Sequence, residues 1–205
     1  MAISGSAGAW VLTLTNFDFT TTAAIALEVP AGTTIVLNGL NSIVSTYNSS
    51  GPTYGIYSEG ALNITSSSGG ALNATSGSSS NDYSFGILAD NGGNITINGS
   101  ATVVATGGGA GLNSYGIYAN GSVVIGGTAT VDAIGVNAGG YSGGILAGEN
   151  VTIIGSANVK GTGGTATTGD SIGIYADVGA LTISGNATVQ ASGGIVTGQS
   201  AESYG

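Results

Sequence analysis

The stretch Ser114-Tyr115-Gly116-Ile117-Tyr118-Ala119-Asn120-Gly121-Ser122-Val123-Val124-Ile125-Gly126-Gly127, followed by Ala129-Thr130-Val131-Asp132-Ala133, decides the fold. It holds three short alternating segments broken by Gly and Asn, the pattern of strands meeting at tight corners. Its Gly-Ile-(Tyr/Leu)-(Ala/Ser) tetrad recurs at Gly55, Gly86, Gly116, Gly144 and Gly173. A period of about 30 residues marks a repeat architecture in which each unit is one coil. A divergent earlier copy reads Ala24-Ile25-Ala26-Leu27, and a further one opens at Tyr204-Gly205.

The expected fold is therefore all-β: a right-handed parallel β-helix, or β-solenoid, with three short strands per coil and roughly six coils. Handedness follows from the general chirality of parallel β connections. Residues 1–205 form one domain, with an N-terminal strand or cap over 1–23, repeated coils over 24–203 and the start of another coil at 204–205. Alternation places Leu62/Ile64, Ile95/Ile97, Val123/Ile125, Val151/Ile153 and Leu181/Ile183 inward on the second strand of successive coils. On the third strand it places Val103/Ala105, Val131/Ala133 and Val189/Ala191 inward. Forty glycines and dense Thr, Val and Ile disfavour helices.

Composition agrees with a packed core rather than a disordered segment, since 41% of the residues are hydrophobic and mean hydropathy is +0.38. Charged residues are only 5%, and Lys160 is the sole basic side chain in a chain of net charge −9. Nucleic acid is excluded as a partner, because phosphate neutralisation needs clustered Lys and Arg. An anionic membrane is repelled for the same reason. There is no Cys, so stability is expected from packing and hydrogen bonds alone. Met1 to Ala9 lacks the basic and apolar regions of a signal peptide, and no apolar run is long enough for a transmembrane segment.

The stretch Trp10 to Phe19, then Thr34 to Ile43, and repeats such as Ser114 to Gly127 resemble secreted bacterial carbohydrate-binding β-helix surface proteins, which are pectate-lyase-like in fold and non-catalytic. The resemblance covers nearly the whole chain. It implies an extracellular or cell-surface location and binding of acidic polysaccharide with calcium.

In such a solenoid equivalent residues stack about 4.8 Å apart on neighbouring coils, so each alignment column becomes a ladder. After the tetrad strand, successive coils are expected to place Glu28, Glu59, Asp90, Asn120, Glu149 (displaced by one residue) and Asp177 at one corner. Carboxylates at that spacing repel by roughly 1–4 kcal/mol per pair, a cost that a bound cation relieves. Calcium is the natural candidate, since it accepts carboxylate, amide and backbone oxygens in flexible geometry. The competing reading is that exposed acids solubilise the protein and discourage lateral aggregation. Asp82, Asp170 and Glu202 lie at the opposite end of the same strand and serve either reading.

If Ile56, Ile87, Ile117, Ile145 and Ile174 point inward, then Tyr57, Leu88, Tyr118, Leu146 and Tyr175 form an outward stripe suited to sugar stacking. Two competing readings are reversed alternation, which buries the column, and a stacked ladder that only stabilises the sheet. On the third strand Val104, Asp132, Lys160 and Gln190 form an outward column, with a surface ion pair expected between Asp132 and Lys160. Thr96, Thr152 and Thr182 suggest an ice-like lattice that Asn63 and Val124 interrupt. Sequons at Asn48, Asn63, Asn73, Asn94, Asn98, Asn120, Asn150 and Asn186 permit glycosylation without showing it.

Catalysis is the reading these residues support least, since His, Cys and Arg are absent. Glu59 and Asp90 approach the spacing of a retaining glycosidase pair, but they belong to a periodic ladder rather than to a single cleft. Two functions remain. One is a non-catalytic module that holds polysaccharide along the Tyr/acid face, with calcium neutralising both partners. The other is a structural subunit of an extracellular filament or surface fibre, in which copies of the chain stack end to end through unpaired strand edges.

Overall fold

In the computed structural model, which describes residues 1–6 and 8–205, the chain is a β-solenoid of about six turns with no helix among the described residues. Three parallel sheets form its faces. The tetrad sheet stacks Ile25–Val29, Thr53–Ser58, Ser84–Ala89, Ser114–Ala119, Ser142–Ala147, Ser171–Ala176 and Ser203–Tyr204. The second sheet runs from Val11–Thr15 through Leu62–Ser66 and Val123–Ile125 to Leu181–Ile183. The third runs from Asp18–Thr21 through Ala71–Thr75 and Thr130–Ile134 to Thr188–Ser192. Only Ala2–Ser4 pairs antiparallel, against Val11–Thr15. Because Val11–Thr15 and Asp18–Thr21 already lie in parallel register, solenoid stacking begins inside the segment expected to be a cap.

The expected registers hold. Ile56, Ile87, Ile117, Ile145 and Ile174 pair in line, as do Leu62, Ile95, Val123, Val151 and Leu181. Leu72, Val103, Val131, Val159 and Val189 complete the third column. These three columns meet in one core running the length of the rod. Isoleucine and valine suit this arrangement because their stiff branched side chains pack on a pleated surface. Leu181 and Ile183 are 45% and 48% exposed despite facing inward, because no later strand follows theirs in the second sheet.

A fourth, minimal column was not foreseen. Asn48–Ser49 pairs with Ser78–Ser79, and single bridges then link Ser79, Ala110, Ala138, Ala166 and Val196. It supports the long corner between the third strand of one coil and the tetrad strand of the next.

That corner is tied by a buried hydroxyl ladder. Thr53, Ser84, Ser114, Ser142 and Ser171 begin the tetrad strands and are fully buried. Ser142 Oγ donates to Val136 O at 2.6 Å and accepts the Gly164 N–H at 2.8 Å. Ser171 repeats this with Gly164 O and Gly194 N–H, and Ser84 with Gly77 O and Gly108 N–H. The hydroxyls of Ser84, Ser142 and Ser171 thus each satisfy a loop carbonyl of their own coil and a loop N–H of the next, which removes the cost of burying both.

Candidate functional site

Strict alternation breaks in the tetrad strand, and that break builds the site. Along Thr53–Ser58 the burial order is buried, half-buried, buried, buried, half-buried, buried. Gly55 and Ile56 therefore both face inward. The ladder pairs Phe85 with Tyr54 and Ile87 with Ile56, stepping over the glycine. A Cβ on Gly116 would lie 2.3 Å from Ile134 N, so the third strand approaches too closely for any side chain at that point. One consequence is geometric. The residue before the glycine and the residue two after it land on the same outer face.

Tyr57, Leu88, Tyr118, Leu146 and Tyr175 do point away from the solenoid core, as expected, but they share that face with a second row that alternation alone did not reveal. The second row is Tyr54, Phe85, Tyr115, Gly143 and Ile172. The rings of Tyr54 and Phe85 stack at 5.5 Å and 7°, and those of Phe85 and Tyr115 at 5.9 Å and 24°. Tyr57 meets Tyr54 edge-on at 5.2 Å, and Tyr118 meets Phe85 edge-on at 5.5 Å. Leu88 is wedged among them and only 6% exposed. Tyr57, Leu88, Tyr118 and Leu146 thus pack with the second row into an aromatic floor, the stacked-ladder alternative for this column, while Tyr175 is 41% exposed.

The floor belongs to an open groove of about 900 Å3 that crosses the coils. Along one side runs the row Tyr83, Asn113, Tyr141, Asp170, whose carbonyls accept equivalent hydrogen bonds from the starts of neighbouring strands. Along the other run Asp90, Asn120 and Asp177. Every charged residue lining the groove is acidic.

The acid ladder needs correction at its first rung. Ile25, Leu27, Glu28 and Val29 pair with Tyr54, Ile56, Tyr57 and Ser58. Glu28 therefore stands in the row of Tyr57, two residues from the alignment its sequence suggested. The cause lies in packing: this coil has no Gly-Ile bend, and Leu27 fills the position that Ile56 occupies in the next coil. Glu149 sits beyond the row, as expected, and its carboxylate accepts from Ser122 Oγ at 3.0 Å. Only Glu59 and Asp90 are acids on adjacent rungs. Asp90 already accepts from Tyr57 Oη at 3.0 Å, Asn120 Nδ2 at 2.7 Å and the Asn91 N–H at 2.8 Å. Among the described residues no three His, Cys, Asp or Glu side chains gather as a metal-binding group.

The tyrosines feel the groove. Burial pushes the Tyr54 hydroxyl up to about 12, with Tyr57, Asp82 and Asp90 adding to it. Burial also raises Tyr115, with smaller contributions from neighbouring tyrosines. For Tyr118 burial acts first and the charges of Asp177 and Asp90 next. Tyr57 is raised by desolvation, then by its hydrogen bond to Asp90. All four respond to a site that disfavours further negative charge.

Opposite this face, Lys160 Nζ lies 3.8 Å from Asp132 on the third sheet, the ion pair expected there. The only basic side chain thus stands outside the groove. No known protein family, curated protein or solved structure matches the chain. The β-solenoid stands on the fold itself.

The rows that sequence reasoning missed carried a signal. Tyr54, Phe85, Tyr115 and Tyr204 each immediately precede a tetrad glycine. Reading that glycine as a bend instead of a corner residue would have put them beside Tyr57 and Tyr118.

Proposed function

We propose that the protein is a non-catalytic extracellular solenoid that holds polysaccharide along the groove of the tetrad face. The observation that carries this reading is the combination of an aromatic floor with polar, hydroxyl-rich sides in a groove that runs across several coils. Tyrosine offers apolar area for sugar C–H groups and a hydroxyl for sugar oxygens. Asn113 and Asn120 add amides that can donate and accept. The central floor strands are hydrogen-bonded on both sides, so their backbone is closed to an added peptide strand, and recognition falls to side chains. The resemblance of the Trp10 to Phe19 segment and the repeats to secreted carbohydrate-binding β-helix proteins supports the same reading.

Calorimetric titration of the intact chain tests it, using neutral, amino and acidic polysaccharides, the last as polygalacturonate with and without calcium. Saturable binding to at least one is expected, weakened about tenfold by Tyr118→Ala or Tyr83→Ala, the loss of a single aromatic anchor. The reading fails if no polysaccharide gives heat beyond dilution, or if both folded variants bind as the parent does.

A further inference from the structure

The charge of this molecule is not spread over it. Eight of its ten acids, Glu28, Glu59, Asp82, Asp90, Glu149, Asp170, Asp177 and Glu202, lie at the two ends of tetrad strands. The other two, Asp18 and Asp132, are on or beside the third sheet, where Asp132 is paired with Lys160. All but one unit of the net charge of −9 therefore lies in or near the tetrad sheet, and the acids that line the groove itself are Asp90, Asp170 and Asp177. The second sheet has no charged residue in any of its strands.

Asp90 and Asp177 share one row along the groove, and Asp170 stands on the other side of the strand from Asp177. Tyr83 and Asp90 flank the strand Ser84–Ala89, with Asp82 one residue further out, and Asp170 and Asp177 flank Ser171–Ala176. These strands are three rungs apart in the sheet, a separation of about 14 Å at ~4.8 Å per rung. On the strand next to the first pair the flanking positions are Asn113 and Asn120, which are polar but uncharged. Between the margins lie Tyr115, Tyr118, Leu146 and Ile172, a floor of low polarity over which charge–charge attraction is screened less than in open water. Aromatic rings add a favourable quadrupole for a cation.

We infer that the groove selects a glycan bearing positive charge, a polymer of amino sugars whose ammonium groups lie against Asp90 and the Asp170/Asp177 pair while its sugar rings cover the floor. This inference rests on the glycan reading of the groove and names its substrate class. An acidic polysaccharide meets like charge on both sides with no basic residue to receive it. A neutral one leaves the carboxylates beneath it desolvated and without a counter-charge. A basic peptide would match the charge, but its backbone would find few partners in a floor whose strands are already paired. The upward displacement of the Tyr118 hydroxyl, caused first by burial and then by Asp177 and Asp90, is consistent with these acids.

The test uses the full chain and three probes at pH 6 and low salt: a glucosamine hexamer, the N-acetylglucosamine hexamer of the same linkage, and a lysine hexapeptide. The glucosamine hexamer is expected to bind at least about tenfold more tightly than its acetylated counterpart, with the advantage shrinking as salt screens the carboxylates. Asp170→Asn combined with Asp177→Asn should lower glucosamine hexamer affinity about tenfold, whereas Asp132→Asn on the third sheet leaves it unchanged. Equal binding of the two hexamers overturns charge selection and leaves the glycan reading standing. Absence of binding by either overturns the inference, while the glycan reading is then decided by the wider polysaccharide titration. Tighter binding of the lysine hexapeptide, or an unaltered affinity in the folded double variant, overturns the inference.

Discussion

Tyr57 donates its hydroxyl hydrogen to Oδ2 of Asp90 on the next coil, at 3.0 Å, linking two residues 33 apart in the chain. The bond joins the floor of the groove to its margin. It holds the phenol in its neutral form, since ionisation would set a phenolate against a carboxylate. Asp90→Asn should therefore lower the ionisation midpoint of Tyr57 while leaving that of Tyr204, raised by its hydrogen bond to Glu202, in place. Residue-resolved NMR titration of ring-labelled tyrosine measures both.

Alkaline stability follows from the same environment. Tyr54 is pushed up to about 12, and Tyr57, Tyr115 and Tyr118 are also raised, whereas an unfolded tyrosine titrates near ~10. A raised folded value means that the folded state holds the proton longer. The resulting stabilisation is fully present below pH ~10 and is lost as pH rises through the folded values towards ~12. With nine Tyr, one Lys and no Arg, Cys or His, tyrosine dominates the titration in that range. Thermal melts from pH 9 to pH 12 should show a falling midpoint above pH ~10.

The buried hydroxyl ladder makes a sharper demand. Ser142→Ala leaves Val136 O without its 2.6 Å donor and Gly164 N–H without its 2.8 Å acceptor. Two buried backbone groups unpaired by one substitution should cost about 1–3 kcal/mol each. Ser68→Ala, in an exposed turn, should fall within about 0.5 kcal/mol of the parent. Denaturant unfolding of the two variants gives the comparison.

Gly116→Ala places a Cβ 2.3 Å from Ile134 N and 2.8 Å from Ala133 C. Both neighbours are backbone of a paired strand and cannot swing aside as a side chain would. The expected loss is about 3 kcal/mol or more, at or above the upper end for overpacking. It should come with a change in near-ultraviolet circular dichroism, because the same bend holds Tyr115 and Tyr118 on one face.

The Asp132–Lys160 pair is separated by 3.8 Å, and its side chains are 34% and 50% exposed. Solvent screens it, so Lys160→Gln should change stability by less than about 1 kcal/mol, with any effect fading at high salt. Unfolding in 0.05 and 1 M salt measures this.

Much of the architecture could be read before any coordinates. Ile117, Val123 and Val131 lie at a fixed offset from one another in their coil, and that offset recurs with the Gly-Ile tetrad, so period and alternation together placed all three core columns. The Asp132–Lys160 register followed from the same alignment. Legibility ended where alternation ended. Gly116 turns two successive residues inward, so Tyr115 and Tyr118 share a face that a period of two assigns to opposite sides. The first coil failed for the opposite reason. It lacks the glycine, and matching Ile25 to Ile56 by letter displaced Glu28 from the row in which Leu27 packing sets it. The serine ladder stayed hidden because a serine beside glycines reads as loop, and only the fold shows that its hydroxyl lies at full burial between two loops.

The hydroxyl ladder gives the rod a polarity. Ser84, Ser142 and Ser171 each donate to the loop just upstream and accept from the loop one coil further on. Each of these coils therefore leaves its successor a waiting acceptor, and the successor's loop supplies the N–H that fills it. Assembly in the N-to-C direction, the order in which a ribosome releases the chain, meets a ready template at each step, whereas the reverse order must align two loops before any hydroxyl finds its place.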